Sequence, residues 1–232
     1  MGWGCRQSLG SVRYVMIIAV DGPSGAGKSS VCREVACRLG FSLLDTGAIY
    51  RCVALVALEQ GVTDEAGCAE IAKNIDIRFV ADKKGQKVLI GDRDVTREIR
   101  TFTVTERVNQ VSAMGRVRVQ LLDIQRRLGR QQNTVIEGRD IGSVVFPDAD
   151  LKVFYTATPE ARARRREQEF LAKGEKIDFE AVVEQIRLRD ETEFNRSHSP
   201  LVQCADAVVL DTSALDFEQS CQALIQLIQS KR

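Results

Sequence analysis

Apolar and polar residues follow different periods along the chain, and these periods predict its elements. Residues 15–20 form a continuous apolar run, which is typical of a strand buried on both faces of a parallel sheet. A glycine-rich stretch over residues 22–27 follows, and residues 29–39 then have helical spacing that ends at Gly40. Residues 41–44 predict a second short strand. The first part of the chain is therefore expected to form a strand–helix–strand unit.

The pattern changes between about residues 63 and 100. Residues 48–59 still have a helical pattern. Apolar and polar residues then alternate over residues 75–80 and again over residues 87–90, on either side of a polar turn at residues 82–85. Such alternation predicts an antiparallel hairpin with one exposed face, inserted into the surrounding α/β pattern.

Helical and buried-strand patterns return in the second half of the chain. Residues 104–128 have helical spacing, and the chain closes with an amphipathic helix that carries Phe217 and Ile228. Further buried strands are predicted over residues 134–137, 151–155 and 207–210. Strands that alternate with helices imply a doubly wound parallel sheet. We therefore predict an α/β fold with such a sheet and a small antiparallel β insert.

Composition and charge narrow the classes of partner. The 232 residues are 44% hydrophobic, which is enough apolar material for one well-buried core. The 33 Lys and Arg residues nearly cancel the 32 Asp and Glu residues, leaving a formal charge of +1. A chain without a basic field is a poor candidate for nonspecific binding of nucleic acid. No apolar run is long enough to cross a membrane, so we expect neither nucleic acid nor a membrane as a partner.

The cysteines and the N-terminal segment predict a cytoplasmic setting. The seven cysteines are odd in number and contain no CxxC pair, so a disulfide framework is not indicated. Those on predicted helices are expected to be small buried thiols in a reduced compartment; they are Cys32, Cys37, Cys52 and Cys221. Residues 1–14 have no periodicity, and we expect them to form a disordered tail before a folded unit of residues 15–232.

The strongest chemical signal is a GxxxxGK[ST] motif placed between the first predicted strand and helix. Backbone N–H groups of such a P-loop, together with the helix N-terminus, bind phosphates. Lys28 is expected to reach the β- and γ-phosphates of ATP, and Ser29 to bind Mg²⁺. The alternative is an ordinary glycine-rich turn. The expected ATP-binding residues in this segment are Gly22, Pro23, Ser24, Gly25, Ala26, Gly27, Lys28, Ser29 and Ser30.

Two arginines are candidates for binding a second phosphate. Arg51 lies about one turn into the helix that follows the second strand, and Arg139 lies at the end of a later strand. Ligands bind at the carboxyl ends of the strands in open α/β sheets, and an arginine can donate two parallel hydrogen bonds to a phosphate group. Each could instead be a surface arginine beside a capped turn.

Three segments together resemble the signature segments of bacterial cytidylate kinases: residues 21–29, 43–51 and 137–149. The resemblance runs from about Met16 to the C-terminus, and the inserted hairpin is also a feature of the bacterial form. It implies a P-loop NTPase core over residues 15–62, 101–157 and 203–232, a monophosphate-binding insert over 63–100 and a helical lid over 158–202. It also implies a cytoplasmic monomer that uses ATP with Mg²⁺ to phosphorylate CMP and dCMP in pyrimidine nucleotide metabolism.

The resemblance also implies roles for individual residues. Arg51 and Arg139 would hold the CMP phosphate, and Arg118 and Asp140 would recognise cytosine. From the lid, Arg189 and Arg196 would contact the phosphate and ribose, and the catalytic residues would be Lys28, Arg139 and Arg189. The chain departs from the family at Asn109, where Ser is common, and at Glu193, where Asp is common. The implied CMP-binding set is Thr46, Arg51, Asn109, Arg118, Arg139, Asp140, Arg189, Glu193 and Arg196.

The run of arginines at residues 162–166 has three interpretations. It is a solvated helix face, a nucleic-acid patch, or part of a mobile lid whose arginines neutralise the ATP phosphates. The nucleic-acid interpretation fits poorly with the overall charge. The position of the arginine run before the Arg189 cluster favours the lid, with Arg162 and Arg165 as ATP-binding candidates. The only histidine, His198, is expected to be a lid or loop residue, because phosphoryl transfer depends on positioning and charge more than on a general base.

Three rival functions remain from the sequence. One is a kinase for another small acceptor on the same scaffold. The second is a P-loop GTPase switch that acts as a binding module, since Asp82 and Gly85 complete a DxxG match, although no NKxD motif accompanies it. The third is a catalytically idle relative, against which the intact set of motif residues argues. The sequence does not rank CMP against dCMP as acceptor.

Overall fold

The computed structural model describes residues 15–82, 85–172, 174–196 and 198–231. The strands are β1 (Ile17–Asp21), β2 (Ser42–Asp45), β3 (Ile77–Asp82), β4 (Gly85–Ile90), β5 (Arg93–Asp94), β6 (Thr134–Gly138), β7 (Leu151–Thr156) and β8 (Val208–Asp211). The α-helices are α1 (Lys28–Leu39), α2 (Thr46–Glu59), α3 (Glu65–Asn74), α4 (Phe102–Val111), α5 (Gly115–Gly129), α6 (Pro159–Leu171), α7 (Phe179–Phe194) and α8 (Phe217–Gln229). The predicted tail, residues 1–14, lies outside the described residues.

The main sheet is parallel and runs in the order β2-β6-β1-β7-β8. Strand β1 is buried along its whole length. Its alternate side chains enter two different apolar clusters: Ile17 and Ala19 face one, while Ile18 and Val20 face the other. Helices α1 and α8 cover the second face, and α2, α4 and α5 cover the first. The predicted doubly wound α/β fold is therefore confirmed.

Glycine and aspartate fix the helices that flank the site. Helix α1 ends at Gly40, which has the left-handed φ of 66° that its pattern predicts. Helix α2 begins at Thr46, two residues before the predicted start, because the Asp45 carboxylate accepts a hydrogen bond from the Ala48 N–H at 3.0 Å. The cap therefore places Thr46 in the first turn, directly behind the end of β2.

The insert contains the predicted hairpin and a helix that the sequence pattern did not predict. Strands β3 and β4 pair antiparallel, and β5 adds a third strand. Asp82 and Gly85 pair with each other at the end of the hairpin. This hairpin belongs to a different sheet from the one that carries the P-loop, so the DxxG match does not form a switch. Residues 83–84 of the predicted turn lie outside the described part. Helix α3 was missed because it is short and rich in small residues. Its N-terminus is capped by Asp64, which accepts from the Gly67 N–H at 3.1 Å.

Two further predictions need correction. The helical pattern over residues 104–128 is divided between α4 and α5, because the chain turns at Ser112 and leaves helical geometry at Met114 (φ −74°, ψ 113°). Cys37 is exposed on α1 rather than buried, whereas the other three helical cysteines are buried. A helix can present one thiol to the core at Cys32 and another to solvent five residues later, since the helical repeat is 3.6 residues.

Helices α6 and α7 pack against each other through a small apolar cluster of their own. Ala163 on α6 meets Val182, Val183 and Ile186 on α7. This cluster is separate from the two that cover the main sheet. In the part of the chain that the structure describes, no helix is long and apolar enough to span a membrane.

Candidate active site

The carboxyl ends of three neighbouring strands bring the motif segments together. The register pairs Asp21 of β1 with Gly138 of β6, and Asp45 of β2 with Glu137 of β6. The loop after β1, the start of α2 and the segment after β6 therefore share one edge of the sheet. This is the edge where open α/β sheets bind ligands.

The backbone of the P-loop has a conformation that glycine makes possible. Gly22 has a φ of 154°, and a Cβ atom there would lie 1.9 Å from the Tyr155 carbonyl oxygen. Gly27 has a φ of 90° and forms the N-terminal boundary of α1. Among the described residues, no side chain caps this helix and no acidic residue occupies its first turn. The N-terminus of α1 is therefore open to an anion.

Lys28 is buried inside the loop that precedes it. Its Nζ donates hydrogen bonds to the carbonyl oxygens of Gly22 and Pro23, both at 2.7 Å. Burial, followed by the charge of Arg139, lowers the pKa of Lys28, while the charge of Glu137 opposes the shift. A phosphate in the loop would supply the negative charge that this ammonium group needs.

Glu137 is a functional candidate that sequence reasoning did not select. The Ser29 Oγ donates to its Oε2 at 2.7 Å. The Oε1 atom is buried and has no hydrogen-bond partner in the described part of the chain. Burial and the nearby charge of Asp45 raise the pKa of this carboxyl. The sequence signal that could have identified Glu137 is its position as a carboxylate at the end of β6, the strand beside β1. Together with the Ser29 hydroxyl it offers the hard oxygen ligands that Mg²⁺ prefers.

The two α6 arginines expected to bind ATP both donate hydrogen bonds to carbonyl oxygens of the P-loop. Arg162 Nη1 donates to the Ser24 carbonyl oxygen at 3.0 Å. Arg165 Nη1 donates to the Ala26 carbonyl oxygen at 2.7 Å. Ser30 lies exposed in the first turn of α1. The expected donor residues therefore lie together, with Arg162 and Arg165 joined to the backbone of the loop.

The arginines expected to hold the acceptor phosphate come from different elements. Arg51 on α2 donates from Nη1 to the Thr105 Oγ1 at 2.7 Å and to the Ile99 carbonyl oxygen at 3.2 Å. Burial lowers the pKa of Arg51, and the charges of Arg100, Arg189 and Arg139 add to this shift against that of Asp45. These guanidinium groups are close enough to repel one another. Such a cluster favours a dianion such as a phosphate.

Arg100 and Asp45 belong to this region but were not predicted as site residues. Arg100 Nη2 lies 3.2 Å from the Asp45 Oδ2. Thr46, which was predicted, donates from Oγ1 to the Glu137 carbonyl oxygen at 2.7 Å. The first contact joins the segment before α4 to the end of β2, and the second joins the start of α2 to the end of β6.

A carboxylate lies between two of the predicted catalytic arginines. Glu193 Oε2 is 2.8 Å from the Arg139 Nε, and Glu193 Oε1 is 3.4 Å from the Arg189 Nε. Burial opposes ionisation of Glu193, but the charges of Arg139 and Arg189 hold its pKa below the usual range. The structure therefore brings Arg139, Arg189 and Glu193 into one ion-pair group at the junction of the core and α7.

The predicted base-recognition pair adjoins a cavity of about 260 Å³. Arg118 forms a buried ion pair with Asp140 and lies over the Tyr50 ring, 5.2 Å from its centroid. Leu122 and Val144 contribute apolar walls. Aromatic and aliphatic walls with a few polar groups suit a flat heterocycle. The described residues that line the cavity do not include Asn109, which is exposed on α4.

The chain after α7 forms one side of this cavity. Ser199 lines it, and its carbonyl oxygen accepts from the Arg196 Nη2 at 3.0 Å. The Arg196 Nε is buried and has no hydrogen-bond partner among the described residues. His198 also lines the cavity and lies in the segment beyond α7, as expected for a loop residue. In the described ranges, no group of His, Cys, Asp and Glu side chains has metal-site geometry.

Known proteins resemble this chain in sequence and in fold. The sequence model described as Cytidylate kinase matches residues 18–230. A "Cytidylate kinase" from Carboxydothermus hydrogenoformans is 44% identical over 93% of this chain and 98% of its own length. One from Exiguobacterium sibiricum is 45% identical over 91% and 96%. A solved structure of an uncharacterized protein from Eubacterium ventriosum has a similar fold (TM-score 0.52, 12% identity, covering 93% of this chain and 99% of that one). The chain therefore belongs to the cytidylate kinase family of nucleoside monophosphate kinases.

Proposed function

We propose that this protein transfers the γ-phosphoryl group of ATP to CMP and dCMP, giving ADP with CDP or dCDP. One observation carries the proposal: the P-loop and a cluster of arginines lie at the same sheet edge, beside a cavity lined by Arg118 and Asp140. A phosphate donor and a nucleotide acceptor can meet there. The two named relatives support the choice of a cytidylate.

The donor half is proposed to bind the ATP phosphates through the P-loop. Its N–H groups and the N-terminus of α1 would surround the β- and γ-phosphates. Lys28 would exchange the carbonyl oxygens of Gly22 and Pro23 for phosphate oxygens. Ser29 and the unpartnered oxygen of Glu137 would hold Mg²⁺. When bound, Mg²⁺ neutralises part of the phosphate charge.

The acceptor half is proposed to hold the monophosphate in line with the donor. Arg51 and Arg139 would bind its phosphate, and Arg189 would neutralise charge on the transferring group. A phosphate oxygen of CMP forms the new bond to the γ-phosphorus as the bond from that phosphorus to the β–γ bridging oxygen breaks, which leaves ADP. The acceptor oxygen is already ionised at neutral pH, so positioning and charge suffice without a general base.

Recognition of the nucleoside is proposed to use the remaining predicted residues. The Arg118 and Asp140 side chains offer a donor and an acceptor for the edge of cytosine, and Thr46, Glu193 and Arg196 would contact the phosphate and ribose. Asn109 would contact the base from α4, where it is exposed and is not among the described residues that line the cavity. The domain roles are proposed as predicted, with residues 63–100 binding the monophosphate and residues 158–202 acting as a lid that excludes water. We further propose a cytoplasmic monomer.

An acceptor panel tests the proposal. ADP formation from ATP and Mg²⁺ is measured with CMP, dCMP, UMP, AMP, GMP and dTMP offered separately. We expect strong turnover with CMP and dCMP and little with the others. Turnover with a different monophosphate alone would overturn the cytosine assignment, and ATP hydrolysis that ignores every acceptor would overturn the acceptor half.

A further inference from the structure

We propose that Arg162 and Asp190 form a positioning pair that sets the P-loop relative to the lid helix α7. The inference rests on the proposed function, because it gives this pair a part in phosphoryl transfer. It assigns Arg162 to the P-loop backbone and to α7, whereas the sequence pattern favoured direct contact with ATP. Asp190 carries no role in the predictions made from the sequence.

Arg162 is one of the most buried charged groups of the described chain, with only 3% of its surface exposed. Its Nη1 and Nη2 atoms pair with both carboxylate oxygens of Asp190, the Nη1–Oδ1 distance being 2.9 Å. Nη1 also donates to the Ser24 carbonyl oxygen at 3.0 Å, and Nε donates to the Ala157 carbonyl oxygen at 2.9 Å. One guanidinium group on α6 therefore joins the segment after β7, helix α7 and the P-loop.

The positions of its partners connect this pair to both halves of the site. Ser24 lies in the middle of the P-loop, so a hydrogen bond to its carbonyl oxygen restrains the peptide groups that would face the donor phosphates. Asp190 follows Arg189 directly on α7. It also lies one turn before Glu193, which contacts Arg139. A shift of Asp190 would therefore move acceptor residues and the P-loop together.

A surface ion pair between the same two helices provides a matched comparison. Arg187 on α7 lies 2.7 Å from Glu160 on α6, and both side chains are about half exposed. Exposed pairs of this kind contribute little to stability. Within the described ranges, neither member of this pair forms a hydrogen bond to the P-loop. If the buried pair served only to hold α6 against α7, losing either pair would lower stability, to different extents, and neither loss would affect the P-loop specifically.

The forked geometry of the pair makes Arg162→Lys informative. Lysine keeps the charge but cannot bond two carboxylate oxygens and two carbonyl oxygens in one plane. Asp190→Asn is nearly isosteric and removes the charge while keeping one acceptor oxygen. Both are milder than truncation to alanine, because the lysine of Arg162→Lys would keep a charge beside Asp190 and the asparagine of Asp190→Asn would keep a hydrogen-bond acceptor beside Arg162, whereas alanine supplies neither.

Hydrogen exchange of the P-loop amides tests the proposal without using activity. Exchange over residues 22–28 is followed by mass spectrometry in Arg162→Lys, Asp190→Asn, Glu160→Gln and the wild type. We expect faster exchange in the first two variants, including Asp190→Asn, whose substitution lies on α7. Exchange in Glu160→Gln should match the wild type. Unchanged P-loop exchange in both buried-pair variants, with thermal unfolding showing folded proteins, would overturn the proposal.

Kinetics separate positioning from simple support of the fold. In Arg162→Lys and Asp190→Asn, kcat for CMP is expected to fall about 10- to 100-fold, because small misplacements of reacting groups have effects of this size. ADP formed without CDP should rise as a share of turnover, and KM for CMP should change less than kcat. Loss of activity with an unchanged share of hydrolysis would contradict a positioning role. If the wild type fails to phosphorylate CMP, the proposed function is wrong. Hydrogen exchange still tests whether Arg162 and Asp190 position the P-loop, because it does not depend on activity.

Discussion

The donor and acceptor halves of the site differ in what holds their charged groups. In the proposed donor half, Lys28 and Arg165 bond main-chain oxygens of the P-loop, and Arg162 bonds one such oxygen as well as the Asp190 carboxylate. In the acceptor half, arginines are held mainly by carboxylates, as in the pairs of Arg118 with Asp140 and of Arg139 with Glu193. The P-loop of the first half is one continuous segment, which Glu137 on β6 and two arginines on α6 contact, whereas the second half is built entirely from separate elements.

This difference separates a preformed binding site from one that has to rearrange. We expect the main-chain oxygens of the P-loop to keep their positions when Lys28 binds a phosphate, so the proposed donor half would need little reorganisation. In the proposed acceptor half, the phosphate would have to replace the carboxylate of Glu193 at Arg139, with which it is paired. We therefore expect substitutions in the donor half to affect the chemical step, and those in the acceptor half to affect acceptor use.

The largest effect is expected from Lys28→Ala. Removing the buried ammonium group takes away charge stabilisation at the transferring phosphoryl group, and kcat should fall about 10³-fold or more. Steady-state ADP formation with CMP measures this. Lys231→Ala, at an exposed position after α8, is the control and should keep normal turnover. Near-normal turnover in Lys28→Ala would break the assignment of the donor half.

Arg139→Ala should mainly weaken the use of the acceptor. The change removes one phosphate ligand and leaves Glu193 without its nearest cation, so kcat/KM for CMP should fall about 10²-fold or more. Arg130→Ala, which breaks a surface pair with Asp148, serves as the control. Loss of ATP binding with normal acceptor use would reverse the proposed donor and acceptor roles.

Gly22→Ala tests whether the donor half depends on backbone geometry. The new Cβ would lie 1.9 Å from the Tyr155 carbonyl oxygen, so the free energy of unfolding should fall by about 3 kcal/mol. Gly25→Ala is the matched variant, because Gly25 also has a positive φ, of 74°, but no described atom lies within 4 Å of its added Cβ; about 1 kcal/mol is expected there. Urea unfolding measures both. Equal losses would contradict a steric role for Gly22.

The smallest effect concerns Asp21, which joins the two halves. Its carboxylate accepts from the N–H groups of Ile141 and Gly142 at 2.8 and 2.7 Å, and burial raises its pKa to about 6 from the usual 3.8. Between these values the folded protein keeps a proton that the unfolded chain has lost. The free energy of unfolding should therefore fall as pH rises from about 4 to 6, by about 2 to 3 kcal/mol from this group.

Urea unfolding at several pH values between 4 and 8 checks the contribution of Asp21. The wild type is compared with Asp21→Asn, in which that group no longer titrates. The wild-type curve should decline more steeply than the variant curve over this range, and the two should run parallel above pH 7. Parallel curves throughout would show that Asp21 titrates normally in the folded protein.

The contrast between the continuous P-loop and the acceptor residues on separate elements explains how much could be predicted from sequence. The P-loop was found from local spacing, because strand, glycines, Lys28 and Ser29 are consecutive in the chain. The parallel sheet followed from continuous apolar runs such as residues 15–20. Helix α3 gave too weak a periodic pattern, and residues 104–128 kept one helical pattern across a real break between α4 and α5.

Long-range contacts could not be predicted in this way. The partner of Arg51 is Thr105 on another helix, and the partners of Arg162 are Asp190 and the carbonyl oxygen of Ser24. Nothing in the spacing of these residues fixes such pairings, because they depend on how separate elements pack. Glu137 was overlooked for the same reason: its contact with Ser29 joins two separate elements. Arg51 and Arg139 were therefore found from their positions after strands and the other acceptor residues from a resemblance, whereas the P-loop residues came from the pattern itself.

Calorimetric binding of ATP with Mg²⁺, and of CMP, to Lys28→Ala and Arg139→Ala tests the central claim that separate sets of cations bind the two phosphates. We predict that Lys28→Ala weakens ATP binding and keeps CMP binding close to that of the wild type. Arg139→Ala should show the reverse, with ATP binding kept and CMP binding weakened. A variant that loses both ligands to the same extent while remaining folded, or the opposite pairing of variant and ligand, would contradict the division of the site into donor and acceptor halves.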